Sequence, residues 1–179
     1  MRYNKPSLVW MDLEMTGLDP DTDQILEIAT VVTTNNLDVV DDGPNIAVHH
    51  SKDVLDQMDE WCQKHHTASG LVDRVLNSDV SLAQAEADTL KFIRTYIPEK
   101  KAPLCGNSIH QDRRFLCRHM PTLESYLHYR IIDVSTIKEV VHRWYQDVKL
   151  PPKEEAHLAR KDIYESIDEL RFYRRRYFQ

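Results

Sequence analysis

The sequence predicts an α/β fold, a mixed central sheet flanked by helices, and three observations carry that expectation. Apolar, β-branched runs near the N-terminus are joined by short polar connectors, the second half alternates strand and helix patterns, and no repeat, low-complexity tract or linker interrupts the 179 residues. Leu8–Glu14, Ile25–Thr33 and Ile46–His49 read as strands. The connectors hold Asp19-Pro20-Asp21 and Asp42-Gly43-Pro44, turn formers in links short enough to favour antiparallel neighbours. Ser81–Ile97 reads as a helix: Ser81 and Gln84 form a capping box, Ala83, Ala87, Leu90, Ile93 and Ile97 share a face, and Pro98 stops it. Ala102–Cys105 follows as a short strand before Gly106, with a helix from about Ser108. Arg130–Val134 is a strand with a helix from about Thr136, and a last helix runs from near His157 to Tyr177.

A chain of this length buries about 70% of its unfolded surface, enough for one core, so a single domain is expected over residues 1–179. Cys62, Cys105 and Cys117, odd in number and without zinc-like spacing, fit reduced core fillers in a cytoplasmic protein better than disulfides. Met1–Lys5 lacks the apolar segment of a signal peptide, and no run approaches the roughly 18 apolar residues of a membrane span. The net charge of −6 argues against an electrostatic wrap around long nucleic acid, whose affinity rests on many Lys and Arg contacts to phosphate.

Asp12 and Glu14 are the most informative residues. One residue apart at the end of Leu8-Val9-Trp10-Met11, they fall on one face of a strand, the face shared by Leu8 and Trp10. Two ionised carboxylates extending a buried stripe repel each other and lose hydration, and a bound cation is the simplest relief. Divalent ions would also reverse the local sign, so a short metal-bridged anion remains compatible with an acidic chain. Taken alone, an Asp-x-Glu is more often surface decoration or a structural pair. In the helix after Gly106, Asp112 lies between Ile109 and Leu116 inside the apolar stripe, where surface charges seldom sit; its first-turn position equally allows a structural role through the helix dipole. In the last helix Ala159, Ile163, Ile167 and Leu170 mark the packed face, and Asp162 sits at its edge, within reach of the sheet. His157 is offset from Asp162 by about 140° around a helix, so both reach one site only if His157 lies on a fraying first turn or the loop before it.

In the order Asp12, Glu14, Asp112, His157 and Asp162, these residues resemble the DEDD exonuclease superfamily in its histidine-containing branch. The stretches WMDLEMTGLDP, ILEIATVV, EWCQKHHTASGLVDRV, PLCGNSIHQDRRFL, YLHYRIIDVSTIKEV and DIYESIDELRFYRRRYF are similar to the oligoribonuclease family over nearly the whole chain. The resemblance implies a ribonuclease H-like exonuclease fold and a hydrolase that removes nucleotides from the 3′ end of very short RNAs, dinucleotides above all, releasing 5′-monophosphates. It implies two divalent ions, Mg²⁺ or Mn²⁺, which suit all-oxygen ligands. Asp12 would bridge both, Glu14 and Asp162 would complete one shell, and Asp112 would support the second ion through water. His157 would be the general base that takes a proton from the attacking water, a role suited to an unperturbed pKa of about 6.5.

By the same resemblance Leu18, Trp61, His66 and Tyr129 sandwich the bases, and stacking is worth about 1–3 kcal/mol per base. Ser108, Arg130, Ser135 and Thr136 cap the substrate's 5′-phosphate, which blocks longer RNA. The family is a homodimer in which the loop holding Tyr129 reaches the neighbouring protomer's site. Other readings of these residues stand beside this one: Leu18 and Trp61 as core, Ser108 with Gln111 and Thr136 with Glu139 as capping boxes, Arg130 on a surface acid. Helix N-termini with a guanidinium nevertheless make a good anion site. His157-Leu158-Ala159-Arg160-Lys161-Asp162 departs from the common His-Arg-Ala-Leu-Asp-Asp and places Lys161 beside Asp162, and Ile131 replaces a residue often polar in relatives. Arg171, Arg174, Arg175 and Arg176 alternate with Phe172, Tyr173, Tyr177 and Phe178, which reads as an amphipathic helix end more than as an RNA surface.

Three other functions share part of this pattern. A proofreading or tail-trimming exonuclease of longer DNA or RNA shares the acids and the histidine but not the cap. An inactive nucleotide-binding module would need a broken ligand set, and a metal-binding structural protein leaves Trp61, His66, Tyr129 and Arg130 without a purpose.

Overall fold

Alternation along the first strand determines how the molecule is layered. The structure, a computed structural model, describes residues 5–146, 148 and 159–178. Its first strand, β1 (Pro6–Met15), pairs antiparallel with β2 (Ile25–Thr34), which pairs antiparallel with β3 (Val39–Ala47). On its other side β1 pairs parallel with β4 (Leu104–Gly106), and β4 parallel with β5 (Ile131–Asp133), giving a mixed sheet of order β3-β2-β1-β4-β5. Short links make the antiparallel pairs, and helical crossovers make the parallel ones. These crossovers contain α1 (Lys52–Leu55), α2 (Glu60–Ala68), α3 (Leu71–Asn77) and α4 (Leu82–Tyr96) before β4, then α5 (His110–His119) and α6 (Pro121–Tyr126) before β5. Helices α7 (Val134–Trp144) and α8 (Ala159–Tyr177) follow.

Val9, Met11 and Leu13 of β1 face one helical layer, where Ile93 of α4, Phe115 and Leu116 of α5 and Leu123 of α6 pack. Leu8 and Trp10 face the other, against Val141 of α7 and Ile163, Ile167 and Tyr173 of α8. Period two therefore carries Asp12 and Glu14 onto the α8 side, as the sequence predicts. All of β2 is buried, and the Trp10 indole N–H donates to Thr33 Oγ1 at 2.9 Å across the hairpin. A smaller cluster of Leu26, Leu55, Cys62, Leu71 and Val75 seats α1 to α3 beside the end of β2.

Several boundaries differ from the sequence expectation. The third strand begins at Val39 rather than near Ile46, and its exposed edge position explains why polar Asp41 and Asp42, Gly43 and Pro44 belong to it instead of to a connector. Ser81 Oγ caps α4 by accepting from Gln84 N at 3.2 Å, yet the buried face is Ala85, Thr89, Leu90 and Ile93, with Ala83 and Ala87 exposed. Thr89 hides that stripe, because a threonine reads as polar while its methyl group packs. The N-cap positions of α5 and α7 are Ile109 and Asp133, so neither Ser108 nor Thr136 opens a capping box. Helices α1 to α3 and α6 are too short to show a helical period. Cys62 and Cys105 are buried, whereas Cys117 lies off the packed stripe of α5 and is exposed. Arg174, Arg175 and Arg176 are exposed around a buried Tyr173. Among the described residues no helix is long and apolar enough to cross a membrane.

Polar ties hold α8 over the sheet: Arg160 Nη2 donates to Gly43 O at 2.8 Å, Tyr164 to Asp42, and Arg171 to Leu37 O. Packing does the larger share. Ile167 is fully buried, so Ile167→Ala is expected to cost about 2–5 kcal/mol, measured as a fall in the urea midpoint at unchanged slope.

Candidate active site

Asp12, Glu14 and Asp162 bring carboxylate oxygens within 4.8 Å of one another. The pleat of β1 supplies the first two, and the first turn of α8, seated on that face by Ile163 and Ile167, supplies the third. Asp112 arrives from the opposite layer. It is 6% exposed, and its Oδ1 accepts from Leu13 N at 2.9 Å, the backbone amide between the two β1 acids. It stands outside the trio but against the same end of β1. His157 lies outside the described residues.

Burial is the main force on these groups. It raises Asp12 well above the usual carboxylate range, with Asp112, Glu14, Asp162 and Glu27 adding repulsion. Burial first, then Asp162, Glu27 and Asp112, lift Glu14 from 4.5 to about 8, while Arg74 opposes the rise. Asp112 is pushed up to about 7 by burial despite the hydrogen bond from Leu13. Such a site takes up either protons or cations. Its oxygen-only donors suit a hard divalent ion such as Mg²⁺ or Mn²⁺, so the residues present fit that group.

Glu27, which sequence reasoning passed over, pairs directly across from Glu14 in the hairpin and is 1% exposed. Arg74 of α3 answers it, with Nη2 at 3.0 Å and Nε at 3.2 Å from Glu27 Oε1, while Arg74 Nη1 donates to Ser69 O. The signal was present in ILEIAT, where a lone acid inside an apolar run is a buried charge in need of a partner.

Beside Glu14 lies a cleft of about 560 Å³ walled by Leu18, Trp61, Cys62 and His66. Leu18 and Trp61 are 63% and 56% exposed, which removes the core reading for both. The turn under Leu18 is tightly built: Asp23 accepts from Thr16 Oγ1 and Asp19 N, and a side chain at Gly17 would stand 2.5 Å from its carboxylate. His66 is buried, with Nε2 at 2.9 Å from Met15 O; a carbonyl only accepts, so Nε2 carries the hydrogen and Nδ1 faces Glu14 Oε2 at 3.8 Å.

The remaining predicted residues form two groups. Ser108, at φ 51°, donates its N–H to Asp133 Oδ1 and Ser135 Oγ, at 2.9 and 3.0 Å. Ser135 and the exposed Thr136 also line a second cleft of about 380 Å³ with His110 and Arg143. Because β1, β4 and β5 are parallel, their carboxyl ends share one edge, so this group and the acidic trio lie along the same side of the sheet. Tyr129 and Arg130 instead enter β5 at its amino end. Tyr129 is 69% exposed, stacked on His128 with ring centres 4.5 Å apart and covered by Arg130, whose guanidinium carbon lies 5.1 Å from the ring centre. Arg113 Nη1 holds the loop through Tyr129 O at 2.7 Å while its Nη2 pairs with Glu124.

Comparison with known proteins agrees with this geometry. The RNase T family of exonucleases matches residues 9–170. The chain is 56% identical over 176 residues to the oligoribonuclease of Pseudomonas syringae pv. syringae, covering 98% of each chain. It is 54% identical over 180 residues to that of Vibrio cholerae serotype O1, covering all of this chain and 99% of the relative. In fold it resembles Escherichia coli exonuclease I in its zinc-bound complex with single-stranded DNA, at a TM-score of 0.74 and 14% identity, spanning 98% of this chain and 42% of that one. Acids on β1 and α8, an aromatic-walled cleft beside them and this extent of identity lead to one conclusion: the chain belongs to the oligoribonuclease family of RNase T-type exonucleases.

Proposed function

We propose that this chain is a metal-dependent 3′-to-5′ exoribonuclease of very short RNAs, above all 5′-phosphorylated dinucleotides, acting in the cytoplasm with residues 1–179 as one exonuclease domain. The observation that carries the reading is the acidic trio within 4.8 Å, set beside a cleft whose Leu18 and Trp61 remain exposed. Two divalent ions, Mg²⁺ or Mn²⁺, would supply charge that stabilises the attacking and leaving oxygens of a phosphodiester. Asp12, Glu14 and Asp162 would hold them, with Asp112 in support. Water adds to phosphorus as the bond to the 3′ oxygen breaks, and His157 takes the water's proton, leaving a 5′-monophosphate on the departing nucleotide.

Leu18, Trp61 and His66 would hold the bases, and Ser108, Ser135, Thr136 and Arg130 the 5′-phosphate. Tyr129 and Arg130 stand at the other end of β5 from Ser135, which favours the neighbouring protomer's site of a homodimer as the place where both act. Stacking on His128 and the Arg113 tether leave Tyr129 ordered for that task.

Three measurements test this reading. With Mg²⁺ and equimolar 5′-phosphorylated RNAs of two to seven nucleotides, the dinucleotide is expected to disappear fastest and chelator to stop all loss; faster loss of longer chains would indicate a general exonuclease, and no cleavage with any divalent ion a binding module. Tyr129→Ala is expected to keep its denaturation midpoint and lose about 1–3 kcal/mol of transition-state stabilisation on dinucleotides, with His157→Ala losing about 10²–10⁴-fold; normal turnover by either folded variant rejects the role assigned to it.

The third concerns pH. Glu14 holds its proton more tightly folded than unfolded, about 8 against 4.5, so between those values the folded state binds more protons and stability falls as pH rises. In chelator, Glu14→Gln should flatten that fall. Mg²⁺ should raise the midpoint more near pH 8 than near pH 4.5, since it replaces protons; a gain independent of pH would contradict carboxylate ligation.

A further inference from the structure

Asn107, between the end of β4 and Ser108, has no part in the mechanism above, yet it is the centre of a hydrogen-bond chain whose direction can be read from proton counts. The Asp162 carbonyl can only accept, so Ser166 gives its single hydroxyl proton to it at 2.8 Å. Ser166 Oγ then accepts from Asn107 Nδ2 at 2.8 Å, which fixes the orientation of the amide. Nδ2 also donates to Glu169 Oε2 at 3.2 Å, and Glu169 Oε1 accepts from Tyr173 at 2.9 Å. On the other side Asn107 Oδ1 accepts the Ser135 hydroxyl proton at 3.1 Å. With that proton committed, the 3.1 Å contact between the two serine hydroxyls runs from Ser108 to Ser135, alongside the Ser108 N–H. Every bond therefore donates the same way, from Ser108 through Ser135, Asn107 and Ser166 to the backbone of Asp162.

Ser166 and Glu169 are 3% and 2% exposed, so water does not readily replace these partners. The same bonds hold Ser108 at a positive φ that a serine adopts only at a cost. One end of the chain is the serine pair, and the other is the helix residue that presents a carboxylate to the acidic trio. We infer that Asn107 is a positioning residue: by taking the Ser135 hydroxyl proton it leaves the Ser108 hydroxyl, the first donor of the chain, as the one that turns from Ser135 to a terminal phosphate, and it holds the serine pair in register with α8. A rigid link between the phosphate end and the scissile end favours the ligand whose two ends are that far apart. The inference rests on the proposed 5′-phosphate subsite.

The test compares kcat/KM for one dinucleotide in its 5′-phosphorylated and 5′-hydroxyl forms, in the unaltered protein, Asn107→Ala and Ser166→Ala. Asn107→Ala is expected to reduce the phosphorylated-to-hydroxyl ratio about fivefold or more, chiefly through KM of the phosphorylated substrate, and Ser166→Ala to reduce it less in the same direction. A structural residue would lower both substrates alike, and an unchanged ratio in folded Asn107→Ala overturns the inference. Should Asn107→Ala not fold, an unchanged ratio in Ser166→Ala overturns it equally. A ratio near one in the unaltered protein would instead refute the 5′-phosphate subsite itself, and the inference with it.

Discussion

Carboxylate crowding at the carboxyl end of β1 is the constraint on which the rest of the structure depends. Asp12 and Glu14 share a face by strand geometry, Glu27 lies directly across from Glu14, and Asp112 and Asp162 arrive from two different helical layers. A fold selected for stability alone would not gather them, because buried like charges disfavour the ionised state. Some of this crowding is relieved locally: Arg74 meets Glu27, His66 faces Glu14, and the Leu13 amide meets Asp112. Asp12, Glu14 and Asp162 have their oxygens close enough for a shared cation.

The mixed topology is what allows acids to approach from both sides. With β1 interior to the sheet and β2 buried throughout, α5 and α8 cover opposite faces near the same strand end. Parallel pairing of β1, β4 and β5 then aligns three carboxyl ends along one edge and gathers Glu14, Ser108 and Ser135 from distant parts of the sequence. At the start of α8, where the sequence departs from the common family pattern, Arg160 anchors the helix to the Gly43 carbonyl. The substitution thus adds a polar tie two residues before Asp162.

Whether a feature could be read from the sequence depended on whether local periodicity expressed it. The common face of Asp12 and Glu14 follows from a period of two that tertiary structure does not alter, and the Ser81 cap of α4 is equally local. The expected face of α4 holds at Leu90, Ile93 and Ile97 but not over its first turns, where a buried threonine and two exposed alanines invert the usual signs. The first part of edge strand β3 is not legible since an edge tolerates Asp, Gly and Pro, nor are α1 to α3, because their stability comes from docking on Leu26. Leu18 and Trp61 show the same limit from the other side: a large apolar residue reads as core, and only the fold reveals it exposed on a cleft. Ser108 reads as a helix cap but bonds to Ser135 across two strands, a contact no local window contains.

Preorganisation unites the parts of this surface. Binding a small ligand leaves little interaction energy to order loops, so a site for a ligand of dinucleotide size must be ordered before the ligand arrives. The exposed groups here meet that requirement. Leu18 rides on a turn closed by Thr16 and Asp23, Trp61 stacks on His65 with ring centres 4.0 Å apart, and Tyr129 is clasped by His128, Arg130 and Arg113. Exposed side chains ordinarily keep their rotamer freedom, since fixing them costs entropy without burying surface. Holding several apolar and aromatic groups rigid while they remain open to solvent is a cost that folding does not recover, and binding does.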